Sequence, residues 1–390
     1  WSPSYGGAGV YRSIDAGGNW ERVGTTAQVG NRCNKIVVHP TNSGRLWVAS
    51  DSGVHRGVRT QVGPGLWNIL WTTQLAGRAT DLVMKHGDPN VMLAGLHNNG
   101  IWKTTDGGAN WSRLEGERVV VFAIIFAFRE NLPTGADAGW IKLALGQSGE
   151  GGADFVVAKL GRDSATTLIS TNLGEEWLKT PGSVGASYDE WCSMVAVHPR
   201  QARHIYLASV GMQHSFDGWN YADSPGTHSD HHQMVFHRSN DAIAYVCCDG
   251  GVYRTTDNGA SWQLRSFLLT ATQLMSLGVS ADGPLVVGSA TQDQGIIQSD
   301  GSSSWVDHGG GNEWGFFVVD PNDSANIFIS PGGGQLRRSD RLLLRRFRLR
   351  GGPRRELAAC ASDSTAFPVA TAVVTPPPDQ PFPSGAVQSK

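Results

Sequence analysis

One unit of sequence recurs along the chain and limits what it can fold into. Its clearest copy is Gln233–Ser266, QMVFHRSNDAIAYVCCDGGVYRTTDNGASWQLRS. Alternating apolar positions broken by turn formers read as strand, turn, strand, Asp-Gly-Gly turn, strand, Asp-Asn-Gly turn, strand. Variants occupy Lys35–Trp71, Asp81–Leu114, Trp191–Tyr221 and Gln273–Asp307. A longer unit, Val119–Thr180, carries insertions around 130–137 and 149–153. Half-units open the chain (Val10–Trp20) and follow the last full copy (Trp314–Ser330). Four strands at a period of roughly 40 residues is the pattern of a propeller blade. The expectation is therefore all-β: a single seven-bladed β-propeller of four-stranded antiparallel blades over residues 1–335. The two half-units would complete one shared blade, closing the ring and removing free sheet edges.

Composition agrees with short strands and Gly-rich turns. The 390 residues include 50 Gly and 14 Trp, with only 17% charged, which argues against a coiled coil, a helical bundle or a disordered chain. The longest apolar run, Val119–Phe128, suits a buried strand pair and falls short of a membrane span. The net charge of −2 hides a split. Residues 336–390 hold nine Arg and Lys390 against four carboxylates, while the first 335 residues hold 22 basic against 30 acidic groups. An acidic body lacks the clustered cations that phosphate contacts need, so nucleic acid is not an expected partner. Cysteines at 33, 192, 247, 248 and 360 form neither a C-x-x-C pair nor a disulfide framework. The residues from Trp1 onward show no signal-peptide pattern.

The turn between third and fourth strands repeats as S/T-x-D-x-G-x-x-W. It stands as Ser13, Asp15, Gly17, Trp20; as Thr104, Asp106, Gly108, Trp111; and as Thr255, Asp257, Gly259, Trp262. Ser170, Asn172, Gly174, Trp177 is a weaker copy, and Ser215–Asp217 and Asp300–Trp305 are degenerate. The carboxylate can accept backbone N–H bonds across the turn, Gly supplies positive φ, and Trp packs the hairpin. This turn resembles the Asp-box, or BNR repeat, of β-propeller proteins, a superfamily of sialidases, xyloglucanase-type glycoside hydrolases, sortilin-like receptors and a photosystem II assembly factor. The resemblance covers roughly residues 1–335 and implies a propeller fold, with secretion or a periplasmic location. It carries little about function, because the turn serves all these roles. The boxes themselves read as structural.

After Gly334 the pattern stops. Residues 336–390 run from an Arg-rich stretch into TPPPDQPFPSG, without blade period or Asp box. They read as a disordered tail or as sequence unrelated to the propeller.

Blade geometry locates a site. The start of each first strand and the turn between second and third strands share one face of a ring, and the Asp-box turns lie on the other. Strand starts are 31–34, 77–81, 187–192, 228–233, 270–273 and 310–314; second turns are 50–53, 96–100, 147–152, 211–214, 248–251 and 291–295. These positions concentrate Asp, Glu, His, Arg and Trp. Glycoside hydrolysis needs two carboxyls across the scissile bond. The candidates are Asp249, Asp51, Glu313 and Asp293, with His231 and His232 as acid–base partners. Trp191 and Trp314 are candidate sugar platforms. Arg32, Arg78, Asp230, Glu190, Gln292, His97 and His214 are candidate substrate-binding groups. The xyloglucanase-type resemblance implies a catalytic Asp in a D-x-G-G turn, the form Asp249 takes, but those enzymes use a second propeller and a single one is expected here. The sialidase resemblance offers Arg32, Arg78 and Tyr188, yet no third matching Arg and no FRIP-type motif. His228, Asp230, His231 and His232 invite a metal reading, but with no H-E-x-x-H and no second ligand cluster, neither metal nor other cofactor is expected. No G-x-S-x-G turn supports a nucleophilic serine. The reading is a monomeric glycoside hydrolase acting on a carbohydrate at a central pocket, with a non-enzymatic carbohydrate- or protein-binding propeller as the alternative.

Overall fold

A computed structural model describes residues 7–339 apart from positions 65, 116, 124–125, 147–153, 162–165, 183, 185–187, 238, 267–273, 275, 282–284, 294, 303–304, 308–315, 321–322 and 331–336. Glu313, Trp314 and the tail from 340 lie outside the described residues.

The chain is an all-β propeller. Its described strands fall into successive sheets, antiparallel except where one added hairpin joins, each laid down before the next begins. Cys33–Val38, Arg45–Ser50, Gly53–Gly63 and Leu66–Ala76 form the first four-stranded sheet. The second runs Ala79–Met84, Met92–Leu96, Gly100–Thr104, Ser112–Arg113. Further four-stranded sheets start at Met194–His198, His231–Phe236 and Gly278–Val279. Neighbouring first strands pack side by side from Cys33–Val38 through Ala79–Met84, Trp140–Leu145 and Met194–His198 to His231–Phe236.

The core is a series of clusters between sheets. Trp47, Ala49 and Val54 of the first sheet meet Leu82, Met92 and Leu96 of the second. Leu93 and Ile101 then meet Ile141, Leu143 and Val156 of the next. Each apolar side chain so buried contributes about 1.5–3 kcal/mol, so stacking holds the sheets together. Gly95 shows how close they come, since a Cβ there would fall 2.7 Å from Ile141 Cγ2.

Two expectations need correction. The long unit does not start its blade at Val119. Its four blade strands are Trp140–Leu145, Val156–Gly161, Thr166–Ser170 and Trp177–Thr180. The apolar run forms a hairpin, Glu117–Ala123 with Phe126–Asn131, which joins the outer edge by parallel pairing with Trp177–Thr180 and makes six strands. Among the described residues the two terminal half-units also form no common ladder. Phe316–Asp320 and Asp323–Ser330 take Arg337–Ser339 as their third strand, so that edge is already filled. The hairpin Val10–Arg12/Glu21–Gly24 instead leans on the first sheet, where Trp71 Nε1 donates to the Val23 carbonyl at 2.8 Å. Among the described residues no helix is long and apolar enough to cross a membrane.

The repeated turns share one hydrogen-bond pattern. Thr104 Oγ1 donates to Asp106 at 2.8 Å and accepts from Gly108 N–H at 3.1 Å, while Asp106 accepts from Asn110 N–H at 2.9 Å and Asn110 Nδ2 at 2.7 Å. Ser13/Asp15, Ser215/Asp217 and Thr255/Asp257 repeat it. These bonds favour the ionised form and hold the Asp15 and Asp106 carboxyls at about 2.

Candidate functional site

Strand starts and second turns do meet on one face. The Asp51 N–H donates to the Arg32 carbonyl at 3.0 Å, His97 N–H to Arg78 at 2.8 Å, and Asp249 N–H to Asp230 at 3.3 Å. The partners are 19 residues apart each time, so Asp51, His97 and Asp249 are equivalent, as are Arg32, Arg78 and Asp230. In each of these sheets a bulge interrupts the first strand, between Cys33 and Lys35, Ala79 and Asp81, and His231 and Gln233. A bulge leaves one residue unpaired and re-aims it. Asn34 uses this freedom to reach the Ala79 carbonyl of the next sheet at 2.7 Å, and Thr80 reaches the Ile141 carbonyl at 2.7 Å. The third such residue is His232, which turns back on its own sheet.

His232 Nε2 donates to Asp249 Oδ1 at 2.5 Å, with the two side chains 42% and 34% exposed. Its pKa is raised, first by this bond and against some burial, with further help from the Trp191 carbonyl and the Asp230 charge. The pair is therefore a polar corner reachable from solvent. His231 is the opposite case. It is buried, its Nδ1 reaches the Ser209 carbonyl at 3.1 Å and its Nε2 the Thr227 hydroxyl at 2.9 Å. Burial lowers its pKa, and both nitrogens are engaged in holding two sheets together.

The loop Tyr188–Cys192 ties the face together. It is a tight turn in which the Trp191 and Cys192 N–H groups donate to the Tyr188 carbonyl at 2.8 and 2.9 Å. Its consecutive residues go to different sheets. Asp189 turns inward onto the buried Lys159 ammonium, which also donates to Ser193 Oγ at 2.9 Å. Burial raises the Asp189 pKa and lowers that of Lys159, and their mutual attraction opposes both shifts. Glu190 accepts from Arg78 and lies 3.9 Å from Arg32, so one carboxylate joins three sheets. Trp191 lies beside His232 through its carbonyl and is 48% exposed, near Tyr188 at 58%. The Cys192 thiol donates to Asp230 at 3.3 Å, its pKa pushed up to about 12 by burial.

Arg78 also stacks over the Trp140 ring at 4.9 Å, and His97 lies 5.8 Å from the same ring. Asp51 accepts from the Asn31 and Arg32 N–H groups at 2.9 and 3.2 Å and closes the turn around itself. Gln292 and Asp293 occupy the matching turn between Val287–Thr291 and Gly295–Ser299, with Asp293 at φ +63°. His214 sits within Met212–Ser215, and its ring packs edge-on at 5.1 Å from Phe216. Among the described residues no three His, Cys, Asp or Glu side chains gather as metal ligands.

Sequence reading missed Lys159, Cys192 and Trp140. Lys159 sits in a run of strand residues whose neighbours are all apolar, and a lone cation there is the signal of a buried partner. Trp140 begins the first strand that was assigned to Val119.

Fold and face together define a β-propeller with a loop-built polar surface. No family model matches the chain, and no curated protein does. Among solved structures it is similar to the GH74 xyloglucanase from Xanthomonas campestris, at 16% identity over 85% of this chain and 55% of that one, with TM-score 0.32. It is also similar to PorZ, a surface component of the type-IX secretion system of Porphyromonas gingivalis, at 14% identity over 87% and 43%, TM-score 0.47. A third is YCF48 from Cyanidioschyzon merolae, at 14% identity over 75% and 91%, TM-score 0.37. The chain spans 34% of an ancestral GH74 enzyme and 55% of each of two others.

Proposed function

We propose that the chain is a carbohydrate-binding propeller whose ligand lies at the corner of Tyr188, Trp191, His232 and Asp249. The observation that carries this reading is the loop Tyr188–Cys192. It leaves Tyr188 and Trp191 about half exposed, with the Trp191 carbonyl against His232, whose ring is already held on Asp249 within its own sheet, while Glu190 and Cys192 tie the loop to other sheets. A sugar presents an apolar ring face and a rim of hydroxyls, which suits an open indole next to a held carboxylate and imidazole. Groups fixed before binding lose little freedom when the ligand arrives. Seven blades form part of the same proposal, supported by the seven successive sheets among the described residues from Cys33 to Ser339, and so does membership of the Asp-box propellers, supported by the shared turn bonding.

Glycoside hydrolysis is the second reading, favoured by the charges of Asp230 and Asp249 flanking His232. It needs two carboxyls free to face a glycosidic bond. Asp51 is instead bound by two backbone N–H groups and Glu190 by two guanidiniums, which is why binding ranks first.

An immobilised glycan panel, followed by turnover assays on aryl glycosides and β-glucans, separates the two. Binding without release of reducing sugar, weakened by Asp249→Asn, is the expected result. Turnover abolished by Asp249→Asn or Asp230→Asn would establish the hydrolase. Neither binding nor turnover from folded protein would overturn both.

A further inference from the structure

We propose that Ser52 is an activated hydroxyl nucleophile with His55 as its general base, able to take an acyl group from a carboxylic ester. This does not rest on the glycan reading.

The pair lies at the turn joining Arg45–Ser50 to Gly53–Gly63. Ser52 is exposed, and its Oγ is 2.9 Å from His55 Nε2. His55 is buried, and its Nδ1 lies 3.1 Å from Thr73 Oγ1 on Leu66–Ala76. With Nδ1–H donated to Thr73, the Nε2 lone pair faces the serine. Ser50 Oγ also lies 3.1 Å from Nε2, but it is buried and donates to the Gly53 carbonyl at 3.3 Å. Of the two serines within reach of the base, Ser52 is the one whose residue is exposed. A nucleophile, a base within reach and a third group orienting that base is the arrangement that activates a hydroxyl.

The surroundings agree. Burial lowers the His55 pKa and so favours the neutral ring, and the Asp51 charge opposes that shift. Gly30 closes the other side at φ +86°, where a Cβ would fall 2.6 Å from Ser52 Oγ and 2.7 Å from Ser50 Oγ. Only glycine lets the chain pass so close to both hydroxyls.

In the inferred step Ser52 Oγ bonds to the ester carbonyl carbon and its proton moves to His55 Nε2. The carbon–oxygen bond to the alcohol breaks, and the alcohol leaves with that proton. Water, deprotonated by the same nitrogen, then bonds to the acyl carbon, the bond from that carbon to Ser52 Oγ breaks, and Oγ takes the proton back from Nε2 as the acid leaves.

The test treats the full chain near neutral pH with a fluorophosphonate probe and with p-nitrophenyl acetate, and locates adducts by peptide mass spectrometry. A single adduct on Ser52 is expected, with a matching burst of p-nitrophenolate. Ser52→Ala should abolish it, Ser50→Ala should retain it, and His55→Gln should slow it about 100-fold. Thr73 is at the surface, so Thr73→Val tests the same chain of contacts should His55→Gln fail to fold, and it should slow labelling with an unchanged circular dichroism spectrum. No adduct on Ser52, or labelling at the wild-type rate in Thr73→Val, would overturn the proposal.

Discussion

His204 is fully buried, and neither ring nitrogen has a hydrogen-bond partner among the described residues. It stacks on His198 at 5.2 Å and packs against Tyr206 and Phe216 at 4.7 and 4.4 Å. Burial, with His198 and His214 nearby, holds its pKa at about 4 against an ordinary 6.5. As pH falls from 6.5 to 4 the unfolded chain takes up a proton that the folded chain refuses. Stability is therefore undiminished above 6.5 and drops by about 2–3 kcal/mol toward pH 4. Urea midpoints measured across this range should fall less steeply for His204→Phe than for the wild type, and equal slopes would contradict the assignment. The turn carboxylates act lower down. Asp15 and Asp106 sit at about 2, so their contribution is present above pH 4 and lost between 4 and 2. The hydroxyl of the same turn is testable at neutral pH. Thr104→Val leaves the Gly108 N–H without its acceptor and should cost about 1–3 kcal/mol, read as a lower melting temperature. These turns were legible in sequence because their chemistry is local: residues two to four apart make the bonds described. His204 was not, since nothing nearby in sequence reveals that Phe216 and His198 would close over it.

The loop Tyr188–Cys192 is held by its neighbours more than by itself. Lys159 and Asp189 are both buried, and removing one partner strands the other's charge. Lys159→Met should cost about 3–5 kcal/mol. It should also release the loop, so limited proteolysis near Trp191 should speed up before global unfolding does. Unchanged cleavage would show that Glu190 and Cys192 hold the loop alone. The sequence pointed to this segment, because Asp, Glu and Trp cluster at a strand start. It could not show which residue goes where, because that depends on three different sheets. The bulge was similarly hidden. Strict alternation sends His231 and His232 to opposite faces, while the bulge sets the direction in which His232 leaves the strand and brings it to Asp249.

At the scale of the molecule, repetition carried the fold. Each unit buries its apolar faces on the next, so a pattern repeated along the chain became a row of stacked sheets. The exceptions are the places where repetition fails: the hairpin 117–131 added at an edge, and the first hairpin leaning on Trp71. A surface built from several sheets is the product of that stacking, and its ligand is the central claim. The most direct measurement is the affinity of the glycan selected by panel screening for wild type, Trp191→Ala and Trp67→Ala. Trp67 is equally exposed, at 47%, on the long first-sheet hairpin and serves as the control. The account predicts that Trp191→Ala weakens binding about tenfold or more, a loss of ~1.4 kcal/mol, while Trp67→Ala leaves it unchanged. Equal affinities for wild type and Trp191→Ala would contradict it.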